Sequence, residues 1–364
     1  MAKRENEYLP DYVVTPGEVL EFELELRDMK QQELAKRTGL TPKHIGSLVN
    51  GKSAITPETA IKLERAIGMP AQYWMNLESQ YQEALARKAE EAALLRDLDW
   101  LKRFPVAPMV KLGWLEKCKT PKDQLVQVLR FFGIASADQW DDMWPNLGVA
   151  YRQHNHADIK PEAVSAWLRQ GEIQASRMVC QPYDKGAFRK ALDEIRSLTR
   201  LTPEVFVPRM QSLCASAGVA VTFVPSLPKT AVSGATRWLS PTKALIQLSL
   251  RYRTDDHLWF TFFHEAGHIL LHGKKDLFLE GTNGLHPEKE SEANAFAENE
   301  LLSRKSLALF SKSQRVSKTD ILKFAEAKNI APGIVVGRLQ HLGLLAHSYC
   351  NDLKQQFVWS HEVH

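Results

Sequence analysis

The stretch TFFHEAGHILLHG, residues 261–273, limits what this chain can fold into more than any other. Leu258, Trp259, Phe260, Phe262 and Phe263 surround its start, and Ile269, Leu270 and Leu271 follow the second histidine. A helix apolar on almost every side has to be buried, so a domain must be built around it. Burying two histidines and a glutamate in such a helix costs roughly 1–3 kcal/mol for each polar group left without a partner. Positions i and i+4 share a helix face, so His264 and His268 can aim both imidazoles at one cation, which supplies that partner. Glu265 stands beside them, placed to take a proton from an attacking water, in the H-E-x-x-H arrangement that holds zinc through two neutral imidazoles. The competing reading is a core helix whose three polar side chains each find a separate hydrogen-bond partner.

Zinc needs a third protein ligand. The continuation H-E-x-x-H-x-x-G-x-x-H fails, because Leu271 and Lys274 stand at its glycine and its third histidine. Downstream, PEKESEANAFAENELL reads as a second helix with apolar Ala293, Phe296, Ala297 and Leu301. A glutamate one residue before Ala293 is expected to face the first helix. This selects Glu292, with Glu288 and Glu290 the next choices and Asp276, His272 and His286 behind them. His264, His268 and Glu292 would leave a fourth position open for water, with Zn2+ as the cofactor.

Ahead of the motif, helices are expected from Ala187 to Leu198 and from Thr202 to Ala217. The alternating runs GVAVTFVP, SGATRWLS and ALIQLSL read as three strands. Helices, then a small antiparallel sheet, then the motif helix make an α+β domain. An edge strand beside the site would accept an extended peptide, which points to a protein or peptide substrate. Tyr252, Arg237 and His257 are candidates to stabilise an oxyanion, and none is assigned.

A second pattern occupies the start of the chain. Thr15-Pro16-Gly17-Glu18 caps a helix. Gln31 to Arg37 forms a short helix that runs into Thr38-Gly39-Leu40, and Thr41-Pro42 restarts the chain toward Asn50-Gly51. Helix, glycine corner, helix, with small Ala35 at the crossing, is the pattern of a helix-turn-helix. Lys43, His44 and Ser47 are placed to reach base edges, and Gln31, Asn50 and Lys52 to reach phosphates. Residues 30–52 carry a net charge of +4, whereas residues 1–100 as a whole carry −4. The positive charge is therefore local, and the overall +4 alone would not announce nucleic acid.

At 364 residues with 44% apolar content the chain can bury more than one core. Four scattered cysteines without C-x-x-C spacing read as reduced thiols. With neither a signal-peptide pattern nor an apolar run of ~20 residues, a cytoplasmic protein away from membranes is expected. Three regions are delimited: 1–95, the DNA-binding part; 96–180, a helical connector whose Trp114, Trp140, Trp144 and Trp167 read as core; and 181–350, the metal-binding part. His154 and His156 read as solvated.

Residues 15–87, from TPGEVLEFEL through TGLTPKHIGSLVNGKSAITPETAIKLERAIG to YWMNLESQYQEALAR, resemble the XRE-family helix-turn-helix of HigA-type antitoxins. The resemblance implies a five-helix, lambda-repressor-like domain, a homodimer on palindromic double-stranded operator DNA, and a cognate toxin as a further partner. FFHEAGHILLH, ESEANAFAENELL and NIAPGIVVGRLQHLGLL resemble the ImmA/IrrE family of bacterial metallopeptidases over roughly residues 187–345. That resemblance implies a zincin-like fold, zinc on the two motif histidines and the glutamate of EANAFA, and cleavage of a regulatory protein. Family members carry a proline after the double leucine where this chain has Ser303. The chain as a whole reads as a mainly α, multidomain regulator: a helix-turn-helix followed by a zinc endopeptidase. The alternative is a non-enzymatic, HigA-like repressor whose zincin-like domain only senses or binds a partner.

Overall fold

Capping chemistry sets the first helix, α1 (Pro16–Leu26). The Thr15 hydroxyl accepts from the Glu18 amide at 3.0 Å and the Glu18 carboxylate accepts from the Thr15 amide at 2.8 Å, satisfying two donors that a helix start leaves bare. Gly17 is required by packing: a Cβ there would lie 2.3 Å from the Val49 carbonyl oxygen and 2.4 Å from that of Leu48. The start of α1 can therefore sit directly on the end of α3 (Pro42–Val49), which follows α2 (Gln31–Thr38) and the left-handed Gly39. With α4 (Pro57–Ile67) and the start of α5 (Ala71–Arg96), these helices bury Leu20, Leu34, Ile45, Leu48, Leu63 and Trp74.

The structure is a computed structural model that describes residues 14–144, 159–274, 278–279, 287–310 and 316–359. It divides into two units, Met1–Arg96 and Asp97–His364, so all but the first residue of 96–180, set apart above as a connector, fall inside the second unit. His154, His156, Asp276 and His286 lie outside the described residues. In the first unit, α5 is one helix of 26 residues, of which only Trp74 and Glu78 are buried. Leu77 and Tyr81 are half-buried, whereas the buried Glu78 accepts from the Ile55 amide at 3.0 Å.

The second unit opens with α6 (Leu98–Leu101), α7 (Val106–Lys111), α8 (Pro121–Phe132) and α9 (Asp138–Met143). Trp100, Phe104, Phe132 and Trp140 form an aromatic cluster, with Trp100 and Phe104 centroids 4.5 Å apart. Trp140, Trp144 and Trp167 are buried and Trp114 is half-buried. Helix α10 (Pro161–Ser176) joins this part to the sheet: the Trp167 indole donates to the Val224 carbonyl at 2.9 Å and the Gln247 amide donates to the Trp167 carbonyl at 2.6 Å.

Helices α11 (Lys185–Ser197) and α12 (Pro203–Ser216) lead into β1 (Val219–Phe223), β2 (Gly234–Ser240) and β3 (Lys243–Leu248). The sheet order is β1-β3-β2-β4, with β4 (Phe278–Leu279) at one edge. β1 and β3 are parallel, so the expected antiparallel sheet is in fact mixed. The tight turn after Ser240 forces β2 and β3 antiparallel, whereas the longer 224–233 connection lets that hairpin insert with β3 beside β1.

Alternation splits the sheet between two layers. Ala220 and Leu245 pack with Ala175 of α10, while Val219, Val221, Ala244, Ile246 and Leu248 join the main core around the motif helix, α13 (Asp255–Leu271). Helices α14 (Pro287–Leu302), α15 (Arg304–Phe310), α16 (Lys318–Lys328) and α17 (Pro332–His341) complete the unit. Ser303 immediately precedes α15, its hydroxyl accepting from the Ser306 amide at 3.3 Å, so the residue that departs from the family's proline serves as a helix cap.

Candidate functional site

The motif helix is buried as its sequence demands: His264 and His268 are 1% exposed and Glu265 is fully buried. The two Nε2 atoms face each other at 3.0 Å. Glu290 of α14 brings its carboxylate to them, Oε2 at 3.2 Å from His264 Nε2 and Oε1 at 3.5 Å from His268 Nε2. Donor atoms about 2.0–2.1 Å from a tetrahedral zinc stand roughly 3.3–3.4 Å apart. The three donors therefore fit such an ion in both type and spacing, and among the described residues they form the metal-competent cluster.

The carboxylate that meets the two imidazoles is that of Glu290 and not that of the expected Glu292. Glu292 is 63% exposed at its side chain and its Oε2 lies 3.0 Å from His272 Nε2. Helical phase explains the difference. The buried stripe of α14 is Ala293, Ala297 and Leu301, and the position that continues it toward the N-terminus is three residues before Ala293, not one. Asn294, four residues after Glu290 on the same face, accepts at 2.9 Å from His264 Nδ1. Glu288 is exposed. The spacing of Glu290, Asn294 and Ala293 was the available signal.

Close approach of the two helices depends on Gly267. A Cβ there would stand 3.1 Å from Phe296 Cδ1 and 3.3 Å from Ala293 Cα. On the sheet side, Gly234 at the start of β2 covers the candidate base: a Cβ would lie 2.7 Å from Glu265 Oε1 and 2.5 Å from Thr261 Cγ2. The Thr236 hydroxyl donates to the Glu265 carbonyl at 3.0 Å. Burial, with the neighbouring His264 and His272 imidazoles and Lys289 adding to it, pushes His268 down to about 2, so its ring is neutral and can offer a lone pair.

Phe278 of β4 stacks on His268 at 4.0 Å between centroids. β4 pairs with β2 at Ala235 and Thr236, so that part of the strand edge expected to receive a peptide is occupied by the chain itself. A cavity of 310 Å³ lies along the first half of α13, lined by Ser233, Tyr252, His257, Phe260, Arg338 and His341, among others, and none of the three donors lines it. Phe260, one helical turn before His264, has its ring centroid 6.2 Å from that of His264. Tyr252 and His257 stack at 4.3 Å, whereas Arg237 pairs with Glu172.

In the first unit, Lys43, Ser47 and Asn50 share the face of α3 opposite its buried Ile45, Leu48 and Val49. Lys43, Asn50 and Lys52 are exposed, and His44 and Ser47 are half-buried. The Ser47 hydroxyl is bonded to that of Ser53 at 2.7 Å, and the Asn50 amide donates to the Gly46 carbonyl at 2.6 Å, so both side chains also hold the end of the helix. Gln31, at the start of α2, lies over Gly46, whose Cβ would be 3.5 Å from its Oε1. A helix-turn-helix with a basic outer face and a unit holding a His-His-Glu cluster define a two-part, DNA-binding regulator class.

Comparison with known proteins assigns each part. The helix-turn-helix profile matches residues 20–74 and the IrrE N-terminal-like domain, a peptidase-family profile, matches residues 214–339. The HTH-type transcriptional regulator YddM of Escherichia coli K12 is 35% identical over 83 residues, 23% of this chain and 88% of the relative. Virulence-associated protein I of Dichelobacter nodosus is 31% identical over 80 residues, 22% of this chain and 74% of that protein. The antitoxin HigA of Pseudomonas aeruginosa, solved with the higBA promoter, is 32% identical over 22% of this chain and 89% of its own, with a TM-score of 0.22. The chain belongs to the XRE-type helix-turn-helix family and carries an ImmA/IrrE-like domain behind it. Among the described residues no helix is long and apolar enough to cross a membrane.

Proposed function

We propose that this protein is a transcription regulator whose second unit is a zinc-dependent endopeptidase acting on a regulatory protein, a repressor or an antitoxin. The observation that carries the reading is the convergence of His264, His268 and Glu290, with Glu265 buried on the same helix. Zinc bound there supplies a Lewis acid and makes water a nucleophile near neutral pH. Glu265 accepts the proton of the attacking water and returns it to the leaving amine. His264 and His268 serve as neutral ligands, and burial excludes competing solvent. In the first unit, Lys43, His44 and Ser47 read bases while Gln31, Asn50 and Lys52 hold phosphates of an operator. A homodimer on that operator, cytoplasmic residence and a cognate toxin as a partner belong to the same reading.

The test is Glu265→Gln with metal analysis. The variant is expected to keep one zinc per chain and to lose cleavage of candidate repressors and antitoxins encoded nearby. Cleavage at the wild-type rate would overturn the role of Glu265. A second reading, a unit that binds a partner and cuts nothing, is favoured by β4, which occupies the β2 edge and covers His268 with Phe278. Zinc-loaded protein that cleaves neither those substrates nor a proteome-derived peptide library would select it.

A further inference from the structure

Glu292, displaced from the metal cluster, still ends a chain of contacts that leads back to it. His268 Nδ1 lies 2.9 Å from His272 Nδ1, and His272 Nε2 lies 3.0 Å from Glu292 Oε2. The protonation pattern follows from the chemistry. If His268 Nε2 offers its lone pair to a metal, its proton is on Nδ1 and must be donated. The partner is His272 Nδ1, which has to be the bare, accepting nitrogen. His272 then carries its proton on Nε2 and donates it to the Glu292 carboxylate. Every donor meets one acceptor, in a single direction, from the metal face to the surface.

Packing holds this arrangement in place. The His272 side chain is 3% exposed, and Phe278 lies across both rings, 4.0 Å from His268 and 5.3 Å from His272 between centroids. Lys289 stands 5.7 Å above the other participant in the stack, Phe278. Only Glu292 reaches solvent. His264 is held differently, by one direct bond to Asn294.

We propose that His272 and Glu292 form a positioning pair for the metal centre: Glu292 fixes the tautomer of His272, and His272 in turn orients His268 with Nε2 bare and aimed at the ion. Neither residue is a ligand. The inference rests on the proposed metal reading and adds to it a surface carboxylate, two hydrogen bonds away, that sets affinity for the ion. Outer partners of ligating histidines typically govern metal affinity by about 10–100-fold.

The test uses the full chain and zinc alone, with affinity read by competition against a chelator. Glu292→Ala is expected to weaken zinc about tenfold. Alanine is the better helix former, so this loss cannot come from a weaker α14. Glu292→Gln keeps an accepting oxygen and is expected to retain affinity within about threefold of wild type. Glu288→Ala, exposed on the same helix, should change nothing. Side-chain 15N NMR of histidine-labelled, zinc-loaded protein should find His272 with its proton on Nε2. Wild-type affinity in Glu292→Ala, equal losses in the Ala and Gln variants, or a proton on His272 Nδ1 would each overturn the pair while leaving the metal site standing. A wild-type chain that takes up no zinc would overturn the metal reading itself, and this inference with it.

Discussion

Gly267 offers a direct test of how the fold builds the site. It stands between the two motif histidines, where α13 and α14 touch, and a methyl group there would meet Ala293 Cα at 3.3 Å and Phe296 Cδ1 at 3.1 Å. Comfortable carbon contacts are about 3.5–4.0 Å. Phe296 can turn its ring, but Ala293 Cα is backbone, so Gly267→Ala must push α14 back by a few tenths of an ångström. Overpacking of this kind costs about 1–3 kcal/mol. Replacing glycine by alanine in a helix returns about 0.8–1.0 kcal/mol. The net loss is therefore about 0–2 kcal/mol, a fall of no more than about 2–4 °C per kcal/mol in the melting of the second unit. The effect on metal should be larger in proportion. Glu290 lies three residues before Ala293 and travels with it, and metal sites tolerate only about 0.2 Å in their distances. The expected outcome is a small drop in thermal stability without zinc and a clear drop in zinc affinity by chelator competition. A variant that melts higher by the full helix-propensity gain and binds zinc as wild type would refute the close approach described.

Other outcomes follow from particular contacts. Glu290→Ala should lose zinc far more severely than Glu292→Ala, since it removes a donor from the cluster; equal losses, or the reverse order, would return Glu292 to the ligand set. Burial, reinforced by the Asp256 charge, raises Asp255 to about 7, so between its unfolded value near 4 and that pH the folded chain holds more protons than the unfolded one. Stability should fall as pH rises through this window, and Asp255→Asn should flatten the fall and be the more stable form at pH 8 in denaturant titrations; parallel curves would count against it. In gel-shift assays, Lys43→Ala and Ser47→Ala should relax sequence preference, while Lys52→Ala should weaken all sites alike and reduce the salt slope by about one. A Lys52→Ala loss confined to one sequence would mean a base contact instead.

Short-range chemistry made much of this protein legible from its letters alone. The capping box at Thr15, the glycine corner at Gly39 and the apolar run around His264 each act within a few residues, so their structures follow from local sterics and hydrogen bonding. That is why the helix-turn-helix, the buried motif helix and the face shared by His264 and His268 could all be read directly. Contacts between segments distant in sequence were another matter. Choosing Glu290 over Glu292 required the rotation of α14 about its own axis against α13, which acids at the alternate positions 288, 290 and 292 leave open by two residues in either direction. The parallel pairing of β1 with β3 depended on where a hairpin inserts, and β4 over His268 on a short return to the sheet edge. Helical phase and strand order are set by how surfaces pack, and packing is a property of the assembled core, not of any one segment.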